Sequence, residues 1–323
     1  MKKLVLIDGH ALAYRAFYAL PTSMKNHTGQ STNVIVGFTR MLIRIIYQYQ
    51  PASLAIAFDT AKPTFRHKQY TDYKAHRPPS PPEFHTQIPI LQELLQVLGI
   101  GVIYKDGFEA DDIVATIAQQ AERKNFIVNI ITGDKDILQL VNKNISVHIP
   151  KKGLSNIKIY NLDNFKEQTG LYPHQIVDYK SLRGDASDNI KGIPGIGEKT
   201  AIKLLQEYNS LETLLKECPY SKMNPSLKEK ILDSKELLSR NQELTTLYKE
   251  VPIERENIDE FYNFIALDFN KARYLLEKLG IKSFLKTSNS FEKEDKIQHN
   301  NKQAPLLEDT TYQGEQQSFS LFS

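Results

Sequence analysis

The segment Leu-Val-Leu-Ile-Asp-Gly at positions 4–9 indicates the fold class of this chain. Four consecutive apolar residues that end at an aspartate and a glycine predict a short buried strand leading into a loop. The arrangement recurs at residues 54–58, which Asp59 follows, and at residues 126–131, which precede Thr-Gly-Asp134. Because parallel strands are buried on both faces, such continuous apolar runs are typical of a parallel sheet.

Helical segments separate these strands. Residues 33–49 have apolar side chains at a helical period, and helices are also predicted at about 84–98 and 109–124, with a further short strand at 101–104. Alternating strands and helices predict an α/β fold, in which helices cover both faces of a mostly parallel sheet. Asp8, Asp59 and Asp134 would then lie at the carboxyl ends of three strands, the edge where open α/β sheets bind ligands.

The length of 323 residues favours two domains. Residues 1–172 contain the strand–helix alternation, residues 173–287 are predicted to form a helical domain, and the polar residues 288–323 are predicted to be a disordered tail. A single cysteine, Cys218, excludes a disulfide framework and a cysteine-based zinc site. The apolar run at the N-terminus is too short for a signal peptide and no segment is long enough to span a membrane, so we expect a cytoplasmic protein.

Nine acidic residues occur in short motifs that the α/β pattern brings towards one edge. They are Asp8, Asp59, Glu109, Asp111, Asp112, Asp134, Asp136, Asp185 and Asp188. Acidic residues in the first turn of a helix can complement its dipole, which would account for one or two of Glu109–Asp112 but not for the others. Clustered carboxylates repel one another unless a cation neutralises them, and their hard oxygen ligands suit Mg²⁺ or Mn²⁺. So many carboxylates favour two or more ions, as in two-metal phosphoryl-transfer sites.

The segment 62–82 combines basic and aromatic residues. Lys62, Arg66, Lys68, Lys74 and Arg77 alternate with Phe65, Tyr70 and Tyr73 before a proline-rich end. Cations bind phosphates and aromatic rings stack on unpaired bases, whereas a plain solvated loop is the alternative. Since the segment directly follows Asp59, we favour a nucleic-acid contact beside the acidic residues.

A glycine-rich turn, Gly192-Ile-Pro-Gly195-Ile-Gly197, lies between two predicted helices. Glycines allow the backbone to approach a phosphate closely, and the N-terminus of the following helix offers unpaired N–H groups. Lys199 adds positive charge, and Thr200 follows it. A plain helix connection would not need three glycines, so this turn is predicted to contact the nucleic-acid backbone.

Together these motifs resemble the 5′→3′ exonuclease domain of bacterial DNA polymerase I and its stand-alone relatives in the flap endonuclease superfamily. The resemblance covers about residues 1–287. The matching stretches are Val-Leu-Ile-Asp-Gly-His (5–10), Ala-Phe-Asp (57–59), Thr-Phe-Arg-His (64–67), Tyr-Lys-Ala-His-Arg (73–77), Phe-Glu-Ala-Asp-Asp (108–112), Thr-Gly-Asp-Lys-Asp (132–136), Leu-Arg-Gly-Asp-Ala-Ser-Asp-Asn (182–189) and Gly-Ile-Pro-Gly-Ile-Gly-Glu-Lys-Thr-Ala (192–201).

The resemblance implies a PIN-like sheet with a helical arch at 62–82, followed by a helix-three-turn-helix DNA-binding domain. It implies a structure-specific 5′→3′ exonuclease and 5′-flap endonuclease that acts on DNA in primer removal, replication and repair. By the same resemblance, a first metal ion would be held by Asp8, Asp59, Glu109 and Asp111, and a second by Asp134, Asp136, Asp185 and Asp188, with Asp112 nearby.

The family likeness also implies roles for basic residues and for the glycine turn. Lys74, Arg77, Arg15 and Arg66 would contact the scissile phosphate. Phe65 and Tyr73 would lie in the arch that clamps the 5′ strand. The glycine turn would grip duplex DNA, with K⁺ as a further cation.

The chain departs from polymerase I because no polymerase segment follows, so we expect a separate DNA polymerase to act as partner. Its tail ends with Gln316-Gln-Ser-Phe319-Ser-Leu321-Phe322, which is similar to bacterial sliding-clamp-binding peptides. We therefore expect the tail to dock in the clamp, although a chance aromatic terminus is the alternative.

Two other functions fit part of the sequence. A non-catalytic flap-DNA-binding adaptor would keep the basic segment but would gain nothing from the uncompensated acidic residues. A PIN-type ribonuclease would share the sheet and the acidic cluster, whereas the basic segment and the glycine turn favour DNA junctions.

Overall fold

A six-stranded sheet lies at the centre of the structure, a computed structural model that describes residues 1–151, 156–253 and 263–285. Its strands are β1 (Lys3–Asp8), β2 (Ser53–Ala57), β3 (Gly101–Ile103), β4 (Ile127–Ile131), β5 (Ile145–Pro150) and β6 (Ile157–Tyr160). The strand order is β3-β2-β1-β4-β5-β6, and only the β5–β6 pair is antiparallel. The mostly parallel sheet predicted from the sequence is confirmed.

The sequence did not predict β5 and β6. Ser146 and His148 interrupt the apolar run of β5, and Lys158 interrupts that of β6. The β5 polar groups are accommodated by side-chain hydrogen bonds, since Ser146 Oγ contacts His148 Nε2 at 2.8 Å and Tyr49 OH contacts His148 Nδ1 at 2.8 Å. Burial lowers the pKa of His148 to about 4, so this histidine is neutral inside the sheet.

Helices cover both faces of the sheet, and alternate side chains of β1 point to opposite faces. The helices up to the fourth strand are α1 (Gly9–Ala19), α2 (Asn33–Tyr49), α3 (Phe65–Gln69), α4 (Pro82–His85), α5 (Ile88–Val97) and α6 (Ala110–Arg123). Val5 and Ile7 pack with α1, α2 and α5, whereas Leu4 and Leu6 pack with α6 on the opposite face.

The segment 62–82 differs from the expected helical arch. It contains α3, turns follow over residues 71–76, and the next helix, α4, begins only at Pro82. Lys74 has a left-handed backbone with φ +55°, and Pro78, Pro79, Pro81 and Pro82 lack the N–H groups of a continuous helix. The left-handed backbone at Lys74 and the prolines that follow it therefore prevent one continuous helix over residues 62–82.

A helical region follows the sheet. It consists of α7 (Leu162–Thr169), α8 (Ile176–Arg183), α9 (Glu198–Tyr208), α10 (Leu211–Glu217), α11 (Pro225–Asp233) and α12 (Lys235–Thr245), with a two-stranded hairpin of β7 (Gly184–Asp185) and β8 (Ile190–Lys191) between α8 and α9. Its apolar side chains share one cluster with α6 and β4, so the helical region extends the core on that face of the sheet.

The last described segment, residues 263–285, returns to the sheet instead of joining the helical region, in contrast to the expected 173–287 unit. Phe264 N donates to Ala52 O at 3.0 Å. Phe269, Leu276 and Phe284 are buried against the cluster that contains α1, α2 and α5, and α13 (Arg273–Lys278) carries Leu276. Among the described residues, no helix is both long and apolar enough to cross a membrane. The tail peptide at residues 316–322 lies outside the described residues.

Candidate active site

The candidate site forms where the strand order reverses, between β1 and β4. Asp8 is the last residue of β1 and caps α1, since its Oδ1 accepts from Ala11 N at 3.0 Å. Its Oδ2 accepts from Thr132 Oγ1 at 2.9 Å, just beyond β4. These two hydrogen bonds fix the carboxylate at the switch point of the sheet, which is the usual ligand position in open α/β folds.

Two neighbouring elements add carboxylates. Asp59 follows β2, and its Oδ1 accepts from Ala110 N at 2.8 Å, so it also caps the N-terminus of α6. Asp111 lies in the first turn of α6, and its Oδ1 is buried without a hydrogen-bond partner. Asp134 follows β4, and its Oδ1 accepts from Asp136 N at 2.8 Å. We call Asp8, Asp59, Asp111 and Asp134 the first acidic group; Asp134, which the family resemblance assigns to the second metal ion, is included because its charge contributes to the raised pKa values of Asp8 and Asp111.

The charges of the first acidic group repel one another. Burial, together with repulsion from Asp59, raises the pKa of Asp8 to about 7. Burial, with repulsion from Asp134, Asp8 and Asp59, raises the pKa of Asp111 well above its usual range. A buried carboxylate oxygen with no donor and with three acidic neighbours is what a cation site requires. The residues of the group therefore fit a divalent metal ion.

A second acidic group consists of Asp136, Asp185 and Asp188, each of which offers an oxygen within 4.8 Å of the others. Asp136 comes from the turn after β4, whereas Asp185 and Asp188 come from the β7–β8 hairpin. Burial raises the pKa of Asp188 despite the positive charges of Lys74 and Arg77, and Asp134 contributes to this shift. The two acidic groups therefore lie within electrostatic reach of each other.

Lys180 on α8 neutralises part of the second group. Its ammonium contacts Asp136, and its Nζ lies 2.6 Å from Asp185 Oδ2. Although burial favours the neutral acid, Lys180 lowers the pKa of Asp185 to about 2. No sequence motif points to this lysine, because its contact with Asp136 joins residues far apart in the chain.

Glu109 differs from the expectation of a free first-metal ligand. Its Oε1 accepts from Lys74 Nζ at 2.7 Å, and its Oε2 is 3.0 Å from Tyr73 OH and 3.3 Å from Arg66 Nη1. Burial favours the neutral acid, but Lys74 and Arg66 hold the pKa of Glu109 below its usual range. Basic side chains of the segment 62–82 therefore occupy this carboxylate.

Asp112 and Arg66 form a buried pair, which corrects two expectations. Arg66 is 1% exposed and Asp112 is fully buried. Arg66 Nη1 and Nη2 donate to the two Asp112 oxygens at 2.7 and 2.8 Å, and Tyr248 N donates to Asp112 Oδ1 at 2.9 Å. With these donors in place Asp112 has no free oxygen to offer a metal ion, and Arg66 cannot reach a phosphate at the surface.

The other basic candidates differ in accessibility. Arg77 is exposed, and its Nη2 donates to Asp188 Oδ1 at 2.6 Å. Lys74 Nζ lies 4.0 Å from Asp188 Oδ2 while it binds Glu109. Arg15 donates to the carbonyl oxygens of Pro150 and Lys151 at 2.5 and 2.9 Å, at the end of β5. Lys74 and Arg77 thus lie at the second acidic group, whereas Arg15 is held at the end of β5.

The two aromatic candidates also separate. Tyr73 is 2% exposed and its hydroxyl lies 3.0 Å from both Glu109 Oε2 and Asp188 Oδ2, so the expected stacking on bases is incompatible with this position. Phe65 is partly exposed, and its ring centroid lies 6.0 Å from Phe108 and 6.1 Å from Tyr248. Phe65 remains available at the surface, whereas Tyr73 connects two acidic residues.

The three glycines of the turn after β8 are subject to different structural constraints. A Cβ on Gly192 would lie 2.1 Å from the Arg183 carbonyl carbon, and Gly195 has φ +91°. A Cβ on Gly197 would have no neighbour within 4 Å, and Gly197 is exposed at the N-cap of α9. Lys199 is exposed and Thr200 partly exposed in the first turn of α9. Packing therefore explains Gly192, but it leaves Gly197 unexplained.

Comparison with known proteins gives two family matches. Residues 3–170 match the family described as 5′-3′ exonuclease, N-terminal resolvase-like domain, and residues 171–263 match the 5′-3′ exonuclease, C-terminal SAM fold. DNA polymerase I of Bacillus caldotenax is 42% identical over 289 residues, which are 90% of this chain and 32% of that protein. DNA polymerase I of Mycobacterium leprae is 45% identical over 253 residues, which are 77% and 27%. The chain thus spans about a third of the length of these relatives.

Solved structures share the fold. T5 5′-exonuclease with bound zinc has a TM-score of 0.66 at 19% identity, over 86% of this chain and 100% of that chain. The catalytic core of Rad2 in complex with a DNA substrate has a TM-score of 0.58 at 18% identity, over 86% and 87%.

Proposed function

The chain belongs to the 5′-3′ exonuclease family, and from this we propose that it is a divalent-metal-dependent nuclease that hydrolyses DNA phosphodiester bonds at 5′ ends and 5′ flaps. The observation that carries the proposal is the first acidic group, in which burial and mutual repulsion raise the pKa values of Asp8 and Asp111 and one buried Asp111 oxygen has no hydrogen-bond partner. An adaptor that only binds DNA would have no use for such mutual repulsion. The zinc in T5 5′-exonuclease and the DNA on Rad2 support the same function.

The two acidic groups and the basic residues would have different roles in the reaction. The first acidic group would hold one divalent ion and the second acidic group another, with Mg²⁺ or Mn²⁺ suited to all-oxygen ligands. Bound ions would supply an activated water and neutralise charge on the phosphate. Lys74 and Arg77 would pass from Glu109 and Asp188 to the phosphate oxygens and stabilise their developing charge, and Arg15 would contact the phosphate from the other side.

Residues away from the acidic groups would bind DNA. Phe65, the partly exposed aromatic of the basic segment, would stack on an unpaired base. Gly197, Lys199 and Thr200 at the N-terminus of α9 would contact the duplex backbone, where K⁺ could bridge the turn to a phosphate. Arg66 and Asp112 would act as positioning residues, because they anchor the basic segment to α6 without reaching the substrate.

Cleavage of a labelled 5′-flap DNA tests this function. We expect cutting in Mg²⁺ or Mn²⁺, none in EDTA, and slower cutting of a matched RNA flap. Asp134→Ala should reduce cutting by at least about a hundredfold while flap binding in EDTA is retained, because the variant removes a metal-binding carboxylate without touching the DNA contacts. The exposed Asp233→Ala serves as the matched control and should cut like the wild type. Near-normal cutting by Asp134→Ala, or preference for RNA, would contradict the proposal.

Two partners follow from the same proposal. A DNA polymerase, separate or fused, would extend across the gap left by flap removal, since the relatives are polymerases I. The tail residues Gln316, Phe319, Leu321 and Phe322 would bind a sliding clamp. Deletion of residues 316–323 should abolish binding to the bacterial clamp in a pull-down and leave flap cutting unchanged without the clamp; unchanged clamp binding would refute this part.

A further inference from the structure

One cation lies inside the second acidic group. The Lys180 side chain is 12% exposed, and its ammonium contacts Asp136 and Asp185 together. It joins an aspartate from the loop after β4 to an aspartate of the β7–β8 hairpin. The contact is therefore a buried ion pair within the site and not a surface ion pair.

The first acidic group has no such cation. Among the described residues, no lysine or arginine forms an ion pair with Asp8, Asp59, Asp111 or Asp134, and only His10 lies near Asp59, at 3.4 Å. In the part of the chain that the structure describes, the second group thus contains a lysine counter-ion, whereas the first group does not.

A divalent ion and the Lys180 ammonium would compete for the same two carboxylates, Asp136 and Asp185. Each of the three carboxylates offers an oxygen within 4.8 Å of the others, close enough for one ion to contact all three. An ammonium that stayed in contact with both aspartates would repel the ion and withhold their lone pairs. Metal binding at the second group therefore requires that Lys180 leave its carboxylates.

We propose that Lys180 is an internal counter-ion that stabilises the metal-free second acidic group and is displaced when a divalent ion binds there. The inference rests on the proposed function, since it assumes that the second group takes a metal ion. Lys180 then sets the affinity of this group: it favours a divalent ion, which outcompetes the ammonium, over monovalent ions, which do not.

Titration of the full chain with Mn²⁺, without DNA, tests the proposal by calorimetry. Asp185→Asn identifies which binding event belongs to the second acidic group, because it removes one of the three carboxylates. Lys180→Met removes the charge and keeps the chain length, and we expect it to lower the Mn²⁺ Kd of that event by about tenfold. Lys180→Arg keeps the charge and should bind no tighter than the wild type. Lys235→Met, at an exposed lysine of α12, should match the wild type.

Melting temperatures give a second measurement that a merely structural role would not reproduce. In EDTA, Lys180→Met should melt below the wild type because Asp136 and Asp185 lose their counter-ion, and excess Mn²⁺ should raise its melting temperature more than that of the wild type. An unchanged or weaker Mn²⁺ Kd in a folded Lys180→Met would overturn this inference and leave the nuclease proposal intact. Absence of any Mn²⁺ binding by the wild type would overturn both.

Discussion

Carboxylates at one edge of the sheet carry opposite pKa shifts. Asp8 and Asp111 are buried among other acids, which raises their pKa values, whereas Lys180 and Lys74 outweigh burial and lower those of Asp185 and Glu109. At Asp185 and Glu109 the basic partners outweigh burial, whereas at Asp188 burial prevails despite Lys74 and Arg77. Asp8, whose pKa is raised to about 7, is therefore expected to change its protonation near neutral pH when no metal ion is bound.

The raised pKa of Asp8 predicts a pH-dependent stability in EDTA. The folded protein keeps a proton on Asp8 up to pH about 7, whereas the unfolded chain loses it near 3.8. Between these values the folded state binds more protons, so stability is highest at the acidic end and is lost as pH rises. We expect the free energy of unfolding to fall by about 1–3 kcal/mol from pH 5 to pH 8.

Urea unfolding in EDTA across this pH range measures the effect. Asp8→Asn can keep both hydrogen bonds, because its amide oxygen can accept from Ala11 N and its amide nitrogen can donate to Thr132 Oγ1. Its stability should depend less on pH than that of the wild type. A wild-type stability that rises with pH over the same range would refute the assigned shift.

The short helix α3 anchors the basic segment. Arg66 Nε donates to Leu244 O at 2.8 Å and its Nη2 to Thr246 O at 2.9 Å, so the residue joins the segment to the end of α12 as well as to Asp112 on α6. With its donors satisfied, this arginine holds three elements in one arrangement. Lys74 and Arg77 reach the acidic residues because α3 is fixed in this way.

Breaking this anchor should destabilise the protein. Asp112→Asn removes the bidentate charge partner of the buried Arg66 and leaves the 3.3 Å contact with Glu109 as its ion pair, and we expect a loss of about 3–5 kcal/mol in the free energy of unfolding. Asp106→Asn is the matched control, since it breaks the exposed Lys62–Asp106 pair at 2.7 Å and should leave the urea midpoint close to that of the wild type. Equal urea midpoints for the two variants would contradict the anchoring role.

Two glycines in the turn before α9 allow a packing role and a DNA-binding role to be tested separately. Gly192→Ala would press a methyl group against the backbone of Arg183 and Gly184 and should cost about 1–3 kcal/mol of stability or more. Gly197→Ala meets no atom within 4 Å and should unfold like the wild type. If the α9 N-terminus contacts a phosphate, Gly197→Ala should weaken duplex binding by about tenfold, or about 1.4 kcal/mol. Unchanged binding by Gly197→Ala would exclude a close phosphate contact there.

Over the whole molecule, two apolar clusters divide the core at the sheet. One cluster extends from α6 into the helical region, and the other joins α1, α2 and α5 to residues 263–285. The chain therefore crosses from the first domain to the helical region and returns to close the opposite face. The N-terminal unit is not complete at residue 172, because Phe269, Leu276 and Phe284 fill its outer layer.

The returning segment should therefore contribute to the stability of the sheet. Leu276→Ala removes a fully buried side chain from α13 and should cost about 2–5 kcal/mol in the free energy of unfolding. Tyr274→Ala, on the same helix but 79% exposed, is the control and should change stability by less than about 0.5 kcal/mol. Similar urea midpoints for Leu276→Ala and the wild type would show that the segment does not close the core.

The sequence by itself determined the strands that carry Asp8, Asp59 and Asp134, because each is a continuous apolar run and parallel strands meet at one edge. It also predicted that the acidic, basic and glycine motifs serve one function, since their residue types suit metal ions and phosphates. Only the tertiary structure decided which charges pair. Arg66 and Tyr73 became interior residues, Lys180 entered the second acidic group, and residues 263–285 joined the sheet. These outcomes depend on contacts between residues far apart in the chain, and local periodicity carries no information about such contacts.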